Sequence, residues 1–368
     1  MTGSVKKEGN SWYYVFSLKD SNGKRKQKKK RGFKTKKAAQ QALTESLNSY
    51  NKGSFIEPSN ACYNDYLTEW FDTKKNTIGI QTAQVYEIYL NKRVIPSLGD
   101  YKLSELSTMQ IQSFINKLHE EGLSRSTIKK NYEIIRNSLE HAVDYDLLTK
   151  NVSLKVKLPR VTQKEMNVWN EKELTQFLEV AKEDQMNMVF FLALMTGMRQ
   201  GEILGLRWKD IDLNKRLLSI KQTLTHDGKT FLTGAKTKSS LRTIYLSKIT
   251  VKALQSHKAK ISKQKESLEA IYTDYDLVVC SNHGTPLNPA NVRRSLNQLI
   301  VEAKVPKIRF HDLRHTHATS LLSKGINVKV VSERLGHSNI KITLDTYSHV
   351  LPTMQEDVMQ KLDEMILT

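Results

Sequence analysis

The chain has 368 residues, and its 58 Lys and Arg against 38 Asp and Glu leave a formal net charge of +20. That length divides most naturally into two or three domains, and so large a basic excess suits a polyanionic partner, because each neutralised phosphate releases condensed counterions. The longest apolar run, residues 188–195, is too short to span a bilayer. No apolar stretch near the N-terminus reads as a signal peptide, and Cys62 and Cys280 show neither disulfide nor ligand spacing. A cytoplasmic protein that meets nucleic acid, and no membrane, is the expectation.

Residues 12–18 alternate, with Trp12, Tyr14, Phe16 and Leu18 on one face, the period of a half-buried strand. Asp20-Ser21-Asn22-Gly23 turns the chain into a second strand loaded with Lys24, Arg25, Lys26, Lys28, Lys29, Lys30 and Arg31. Residues 36–50 follow as a helix, with Ala39, Leu43 and Leu47 spaced by four. Residues 1–57 therefore read as a small sheet-plus-helix module with a basic face. A solvated basic tail is the competing reading, and the interleaved aromatics count against it.

Residues 51–60, with Gly53, Pro58 and Ser59, read as a linker. Residues 61–157 are helical in pattern. Gly122 is placed to close a helix ending near Glu121, and Ser124 to cap the next. Ile128, Tyr132, Ile135 and Leu139 then form one apolar stripe, a core face rather than a reading surface. A second linker, residues 158–166, contains Pro159. Asn170 and Glu173 form a capping box near the start of the third region, residues 167–368. Its helices surround a strand-rich middle: residues 217–225, a turn at Asp227-Gly228, and residues 242–246. The expected fold class is α+β, with a sheet-plus-helix module, an all-helical domain, and a mostly helical domain carrying a small antiparallel sheet.

Four stretches of the third region carry candidate chemistry. In Thr196-Gly197-Met198-Arg199-Gln200-Gly201-Glu202, Arg199 is anchored by the apolar helix before it and released by a glycine-bounded turn. A guanidinium is a planar fork of donors suited to phosphate oxygens; a surface ion pair with Glu202 is the plainer reading. Lys236, in Lys236-Thr237-Lys238-Ser239-Ser240, sits where a hairpin tip could reach a DNA groove. It could act there as a general acid if its pKa fell, a role open equally to Lys229 or Lys238.

The third stretch, His311-Asp312-Leu313-Arg314-His315-Thr316-His317, puts His311 and Arg314 on one helical face. His311 and His315 also have the i, i+4 spacing of zinc ligands. Arg314 between them would repel a dication and no third ligand is apparent, so neither a metal nor another cofactor is expected. In the fourth, Asn327 caps a helix with Val328, Val331 and Leu335 on one face, and Gly336 ends it. His337-Ser338-Asn339 turns the chain into a further helix bearing Tyr347. Such a pair could read DNA as a helix-turn-helix, and a tyrosine so placed is ordinarily half-buried with a satisfied hydroxyl.

Two arginines, a lysine, two histidines and a tyrosine together suffice for phosphoryl transfer. The arginines offset transition-state charge, a histidine positions or accepts a proton, the lysine protonates the leaving oxygen, and the tyrosine attacks. Arg199 in its setting, His311-x-x-Arg314, Leu335-Gly336-His337 and Tyr347 in Asp345-Thr346-Tyr347-Ser348-His349 resemble, in that order, the tyrosine recombinase (phage integrase) family. The resemblance covers nearly the whole chain.

It implies an arm-type DNA-binding module at residues 1–57, a core-binding domain at 61–157 and a catalytic domain at 167–368. Arg199, Lys236, His311, Arg314, His337 and Tyr347 then form the catalytic set. Tyr347 would attack a phosphodiester to give a 3′-phosphotyrosyl link and a free 5′-hydroxyl, with no need of ATP or metal. Lys236 would be the acid, His311 the base or a positioning group, and His337 a contact to a non-bridging oxygen beside Arg199 and Arg314. The implied partners are double-stranded DNA at core and separate arm sites, further copies in a tetramer, and accessory directionality and DNA-bending proteins. The implied outcome is integration or excision of a mobile element.

A swivelling topoisomerase would share the chemistry but would not need the basic N-terminal module. A non-enzymatic regulator reading DNA through residues 327–348 would never form a covalent adduct. Beyond Pro352, Met354, Val358, Leu362 and Met365 or Ile366 recur at helical spacing. This makes an amphipathic tail that docks on its own domain or, as the resemblance suggests, on a neighbouring protomer.

Overall fold

The computed structural model describes residues 3–19, 25–51, 61–160, 167–233, 241–347, 359 and 362–366. The expected turn at Asp20–Gly23 and most of both linkers lie outside the described residues. The chain divides into two units, Met1–Gln163 and Lys164–Thr368.

The first unit opens with an antiparallel sheet of three strands, β1 (Gly3–Glu8), β2 (Ser11–Lys19) and β3 (Arg25–Phe33), followed by helix α1 (Lys36–Asn51). The alternation pattern revealed only β2 and β3. β1 was hidden because Gly-Ser-Val-Lys-Lys-Glu has a single apolar side chain, Val5, which lies opposite Tyr14. Tyr14, Phe16 and Leu43 are the buried centre of this module, and the Tyr14 hydroxyl lies 2.9 Å from Ser46 Oγ on α1. Lys29 and Arg31 reach Glu8 across the sheet.

The helical part comprises α2 (Tyr63–Lys74), α3 (Ile80–Tyr89), a π turn at Leu90–Val94 leading into α4 (Ile95–Leu98), α5 (Thr108–Glu120) and α6 (Arg125–Asp144). Ser124 accepts from the Thr127 N–H to start α6, and Gly122, at φ +74°, closes α5. Leu67, Trp70, Ile111, Ile115, Ile128, Ile135 and Leu139 lie in one continuous core. The stripe on α6 is thus a packing face.

The second unit begins with α7 (Glu171–Ala181), opened by the Asn170–Glu173 capping box, then α8 (Asn187–Thr196) and α9 (Gln200–Leu204). The strands β4 (Ile211–Asp212), β5 (Leu217–Ile220), β6 (Gln222–Leu224), β7 (Phe231–Thr233) and β8 (Arg242–Tyr245) come next. Five further helices follow among the described residues up to Tyr347: α10 (Lys248–Leu268), α11 (Pro289–Glu302), α12 (Phe310–Ser323), α13 (Val328–Leu335) and α14 (Ile340–Tyr347). The apolar α8 is surrounded by the core of this unit.

The single strand expected over residues 217–225 is in fact two. β5 belongs to an antiparallel sheet of order β4-β5-β8, whereas β6 pairs with β7 in a hairpin. Leu218, Ile220, Gln222 and Leu224 are all buried, so the period of two runs unbroken through the change of partner. The fold is α+β, mostly helical with small antiparallel sheets. Among the described residues no helix is long and apolar enough to cross a membrane. Residues 362–366 are helical and exposed; the rest of the expected amphipathic tail, Met359 apart, lies outside the described residues.

Candidate active site

The site is assembled where α8, α9, β8, α12, α13 and α14 meet. At the end of α8, Gly197 takes φ +67°, which an L side chain rarely adopts. A Cβ there would lie 2.7 Å from His317 Cδ2 and 2.8 Å from Leu335 Cδ2, so the turn depends on glycine twice over. It delivers Arg199 to the cap of α9, where the Arg199 N–H donates to Glu202 Oε2 at 2.9 Å and Nη1 donates to Oε1 at 2.8 Å. The plainer ion-pair reading of Arg199 is therefore realised, but it leaves the side chain 39% exposed. A guanidinium has five N–H donors, so one partner does not exhaust it.

Glu202 is buried and shared. Arg242 donates Nη1 and Nη2 to its two oxygens and Nε to the Arg334 carbonyl at 2.7 Å. Burial would raise the Glu202 pKa, but Arg242 and then Arg199 hold it below the usual carboxylate value. Arg314, in the middle of α12 and 2% exposed, donates Nη1 to the Gly197 carbonyl at 2.7 Å and Nη2 to the Leu335 carbonyl at 2.6 Å. It joins the end of α8 to the end of α13. Burial, followed by repulsion from Arg199 and Arg242, lowers its pKa to about 9, so it remains a cation at neutral pH.

Tyr347 closes α14 with its ring packed in a cluster with Ala318, Leu322, Val331 and Leu335. Its hydroxyl lies 2.7 Å from His315 Nδ1. Burial pushes the phenol up to about 12, with Arg314 pulling the other way. His311, one turn before His315, meets that ring edge-on at 4.9 Å. Although its surface is exposed, the protein crowded around it, and then His315, Arg314 and Arg199, bring its pKa to about 4. His337 follows the left-handed Gly336 and lies 2.8 Å from Thr343 Oγ1 through Nδ1. Its pKa is also about 4, through burial and then Arg314, Arg199 and Arg242.

Five of the six candidate residues, Arg199, His311, Arg314, His337 and Tyr347, are thus gathered into one cluster. Lys236, with Lys238, lies outside the described residues. Three residues of the cluster were not among the candidates. Glu202 had appeared only as an alternative partner for Arg199, and His315 only as a rival zinc ligand. Arg242 left no local signal, since Glu202 and Arg334 are 40 and 92 residues away. Among the described residues no group of three His, Cys, Asp or Glu side chains is placed to hold a metal ion.

Arg199, Arg242 and Arg314 share one anionic neighbour, Glu202, while the histidines around them are held neutral. An oxyanion would stabilise that surplus of positive charge, and phosphate oxygens match guanidinium forks. A mostly helical fold with such a cluster beside a tyrosine hydroxyl holds the groups that phosphoryl transfer to a tyrosine requires.

Residues 167–354 match the phage integrase family, residues 4–50 the arm DNA-binding domain, and residues 62–119 the phage integrase N-terminal SAM-like domain. The chain is 31% identical, over 98% of its length and 98% of the relative's, to a tyrosine recombinase XerC-like protein of Caldanaerobacter subterraneus subsp. tengcongensis. It is 29% identical to the ICEBs1 integrase of Bacillus subtilis over 75% of this chain and 76% of that one. Its fold is similar to that of the Tn1549 transposon integrase in complex with a circular intermediate DNA. The TM-score is 0.70 at 19% identity, covering 82% of this chain and 99% of that one. A similar fold occurs in the lambda integrase tetramer bound to a Holliday junction, with TM-score 0.59, 18% identity and 91% and 92% of the two chains covered. The chain belongs to the phage integrase family. It is a tyrosine-type site-specific DNA recombinase, cleaving and rejoining DNA to integrate or excise a mobile element.

Proposed function

We propose that Tyr347 is the nucleophile of this recombinase and that Arg199, Arg314, His311, His337 and Lys236 serve the phosphate it attacks. The observation that carries the reading is the Tyr347 hydroxyl, 2.7 Å from a ring nitrogen on the same helix that bears His311 and Arg314. Tyr347 Oη gives up its proton to a neighbouring histidine as it bonds to phosphorus, and the bond to the 5′ oxygen breaks. The departing oxygen takes a proton from Lys236. Arg199 and Arg314 stabilise the charge that develops on the non-bridging oxygens, while His311 and His337 line the same phosphate. A partner strand's 5′-hydroxyl then reverses the step. The phosphodiester energy is kept in the covalent link throughout.

Three domains divide the work in this reading: residues 1–57 bind arm sites, 61–157 clasp the core site and 167–368 carry the chemistry. The matches to arm-binding and SAM-like domains support that division. The partners are double-stranded DNA and further copies of the chain, with four protomers bringing two duplexes together in the cytoplasm, and accessory directionality and DNA-bending proteins assisting. The tetramer reading is supported by the similar fold of the lambda integrase, whose tetramer binds a Holliday junction. Denaturing gels with a labelled, nicked core-site substrate test the proposal. Wild-type protein should trap a covalent adduct and Tyr347→Phe should bind the same DNA without one. An adduct from Tyr347→Phe at wild-type yield would place the nucleophile elsewhere.

A further inference from the structure

We propose that His315 is the group that accepts the proton of Tyr347 as it attacks and returns it when the strands rejoin. The inference rests on Tyr347 being the nucleophile. It assigns proton transfer to a residue other than His311, the histidine that the family resemblance favours for that work.

The geometry distinguishes the two histidines. His315 Nδ1 is 2.7 Å from Tyr347 Oη, within reach for direct proton transfer. The rings are 5.6 Å apart and tilted by 57°, so the contact is made at the edge of the imidazole rather than its face. His311 instead packs edge-to-face against His315, at 86° between the planes. It is exposed, and the charges of Arg314 and Arg199 reach it, the two guanidiniums proposed to hold the phosphate. His311 is therefore suited to the phosphate, and His315 to the tyrosine.

The protonation states fit. Burial keeps the phenol protonated at neutral pH, so Tyr347 has a proton to donate in this hydrogen bond. Burial also lowers the His315 pKa from its ordinary 6.5, leaving a neutral ring, and in the tautomer that carries its hydrogen on Nε2 the Nδ1 is free to accept. The groups that face His315 are His311, Asp312 and Arg314 on its own helix, Arg309 at that helix's cap, Tyr347 from α14 and His337 from the turn before it. Asp312 favours an imidazolium while Arg314 and Arg309 oppose it. A proton taken by His315 is thus held briefly and easily given back.

The step balances. As Oη bonds to phosphorus its proton moves to Nδ1, and the electron pair of the broken P–O bond leaves with the 5′ oxygen, which is protonated by the acid. In rejoining, the incoming 5′-hydroxyl returns its proton to the acid and its oxygen bonds to phosphorus, while the P–Oη bond breaks and His315 returns its proton to Oη. The base of one direction is the acid of the other, as reversibility requires.

Single-turnover cleavage by the full-length protein tests this, using a nicked substrate with sulfur at the bridging 5′ position. A thiolate leaves without a proton, so the rate then reports proton removal from Tyr347. His315→Asn should cut on the order of 10²- to 10⁴-fold more slowly. It should also lose the wild-type rise in rate with pH, whose inflection lies below 6.5 because only the neutral ring can accept. In His315→Ala, added imidazole should restore part of the rate. So should 3,5-difluorotyrosine at position 347, because a more acidic phenol has less need of a base. Wild-type rate and pH profile in both variants would overturn the proposal. A loss that neither imidazole nor the fluorinated tyrosine reduces would make His315 a purely structural residue and overturn it equally. Failure of the underlying reading looks different: Tyr347→Phe would then form an adduct.

Discussion

Arg242 holds both carboxylate oxygens of Glu202, at 3.0 and 2.9 Å, with each side chain only 6% exposed. The same carboxylate receives the N–H and Nη1 of Arg199, and the third donor of Arg242 goes to the Arg334 carbonyl, one residue before the carbonyl that Arg314 holds. Through this one ion pair β8 is tied to the start of α9 and to the end of α13.

Removing the anion should therefore be costly. Breaking one member of a buried ion pair typically costs about 3–5 kcal/mol, and Glu202→Leu should lose stability of that order in urea unfolding, Glu202→Gln less. The pH dependence has a definite sign. The folded-state pKa of Glu202 lies below the ordinary 4.5, so its stabilisation is complete above 4.5 and is lost as pH falls through the folded value. Glu202→Gln should remove that part of the acid limb. An unchanged limb would mean that the carboxylate contributes no such linkage.

Arg199 and Arg314 should separate when stability and rate are measured together. Arg199→Ala removes a side chain that is 39% exposed and leaves Glu202 still held by Arg242. Its unfolding midpoint should move little, while single-turnover cleavage falls by about 10²-fold or more, as loss of a transition-state donor does. Arg314→Ala strands two carbonyls, Gly197 and Leu335, in a buried place. Each stranded group costs about 1–3 kcal/mol, so this variant should lose both stability and rate. Equal effects of the two on unfolding would contradict the difference in their burial.

Gly197→Ala tests the turn beneath Arg199. The substitution forces a side chain into φ +67° and against His317, whose own ring is fixed by the Leu194 carbonyl and Arg334. A left-handed non-glycine residue costs about 1–3 kcal/mol before the clash is counted. Thermal unfolding should shift accordingly, and cleavage should fall because the Gly197 carbonyl also positions Arg314. A stable, fully active Gly197→Ala would show that the turn can yield.

What was legible in the amino-acid order was what is settled within a few residues. The Asn170–Glu173 box, the Ser124 cap and the left-handed Gly336 each involve partners no more than five residues apart, and each appears in the fold. The clustering of Arg199, His311, Arg314, His337 and Tyr347 was legible only because four short motifs recurred in a familiar order, not because spacing implied contact. Arg242 was silent: a basic residue at the start of a strand looks like a solvated one until Glu202 is folded against it. The break between β5 and β6 was silent for a different reason, since burial alternates without interruption from Leu218 to Leu224. Periodicity reports which face is buried but not which strand is the neighbour.

Lys236 and Lys238 stand two residues apart, both before β8, and either ammonium could protonate a departing 5′ oxygen. Removing the acid from an oxygen substrate forces an alkoxide to leave, which is costly; a thiolate leaves unaided. Lys236→Ala should therefore cleave an ordinary nicked site very slowly, yet approach the wild-type rate when the bridging 5′ oxygen is sulfur. Arg199→Ala serves as the control, because a residue that stabilises the non-bridging oxygens gains nothing from a better leaving group. Lys238→Ala should behave like wild type on both substrates. If sulfur instead rescues Lys238→Ala and leaves Lys236→Ala slow, the acid is two residues further along. If it rescues neither while both remain folded and bind DNA, the proton comes from outside this segment, and Lys229, on the β6–β7 hairpin, becomes the residue to replace.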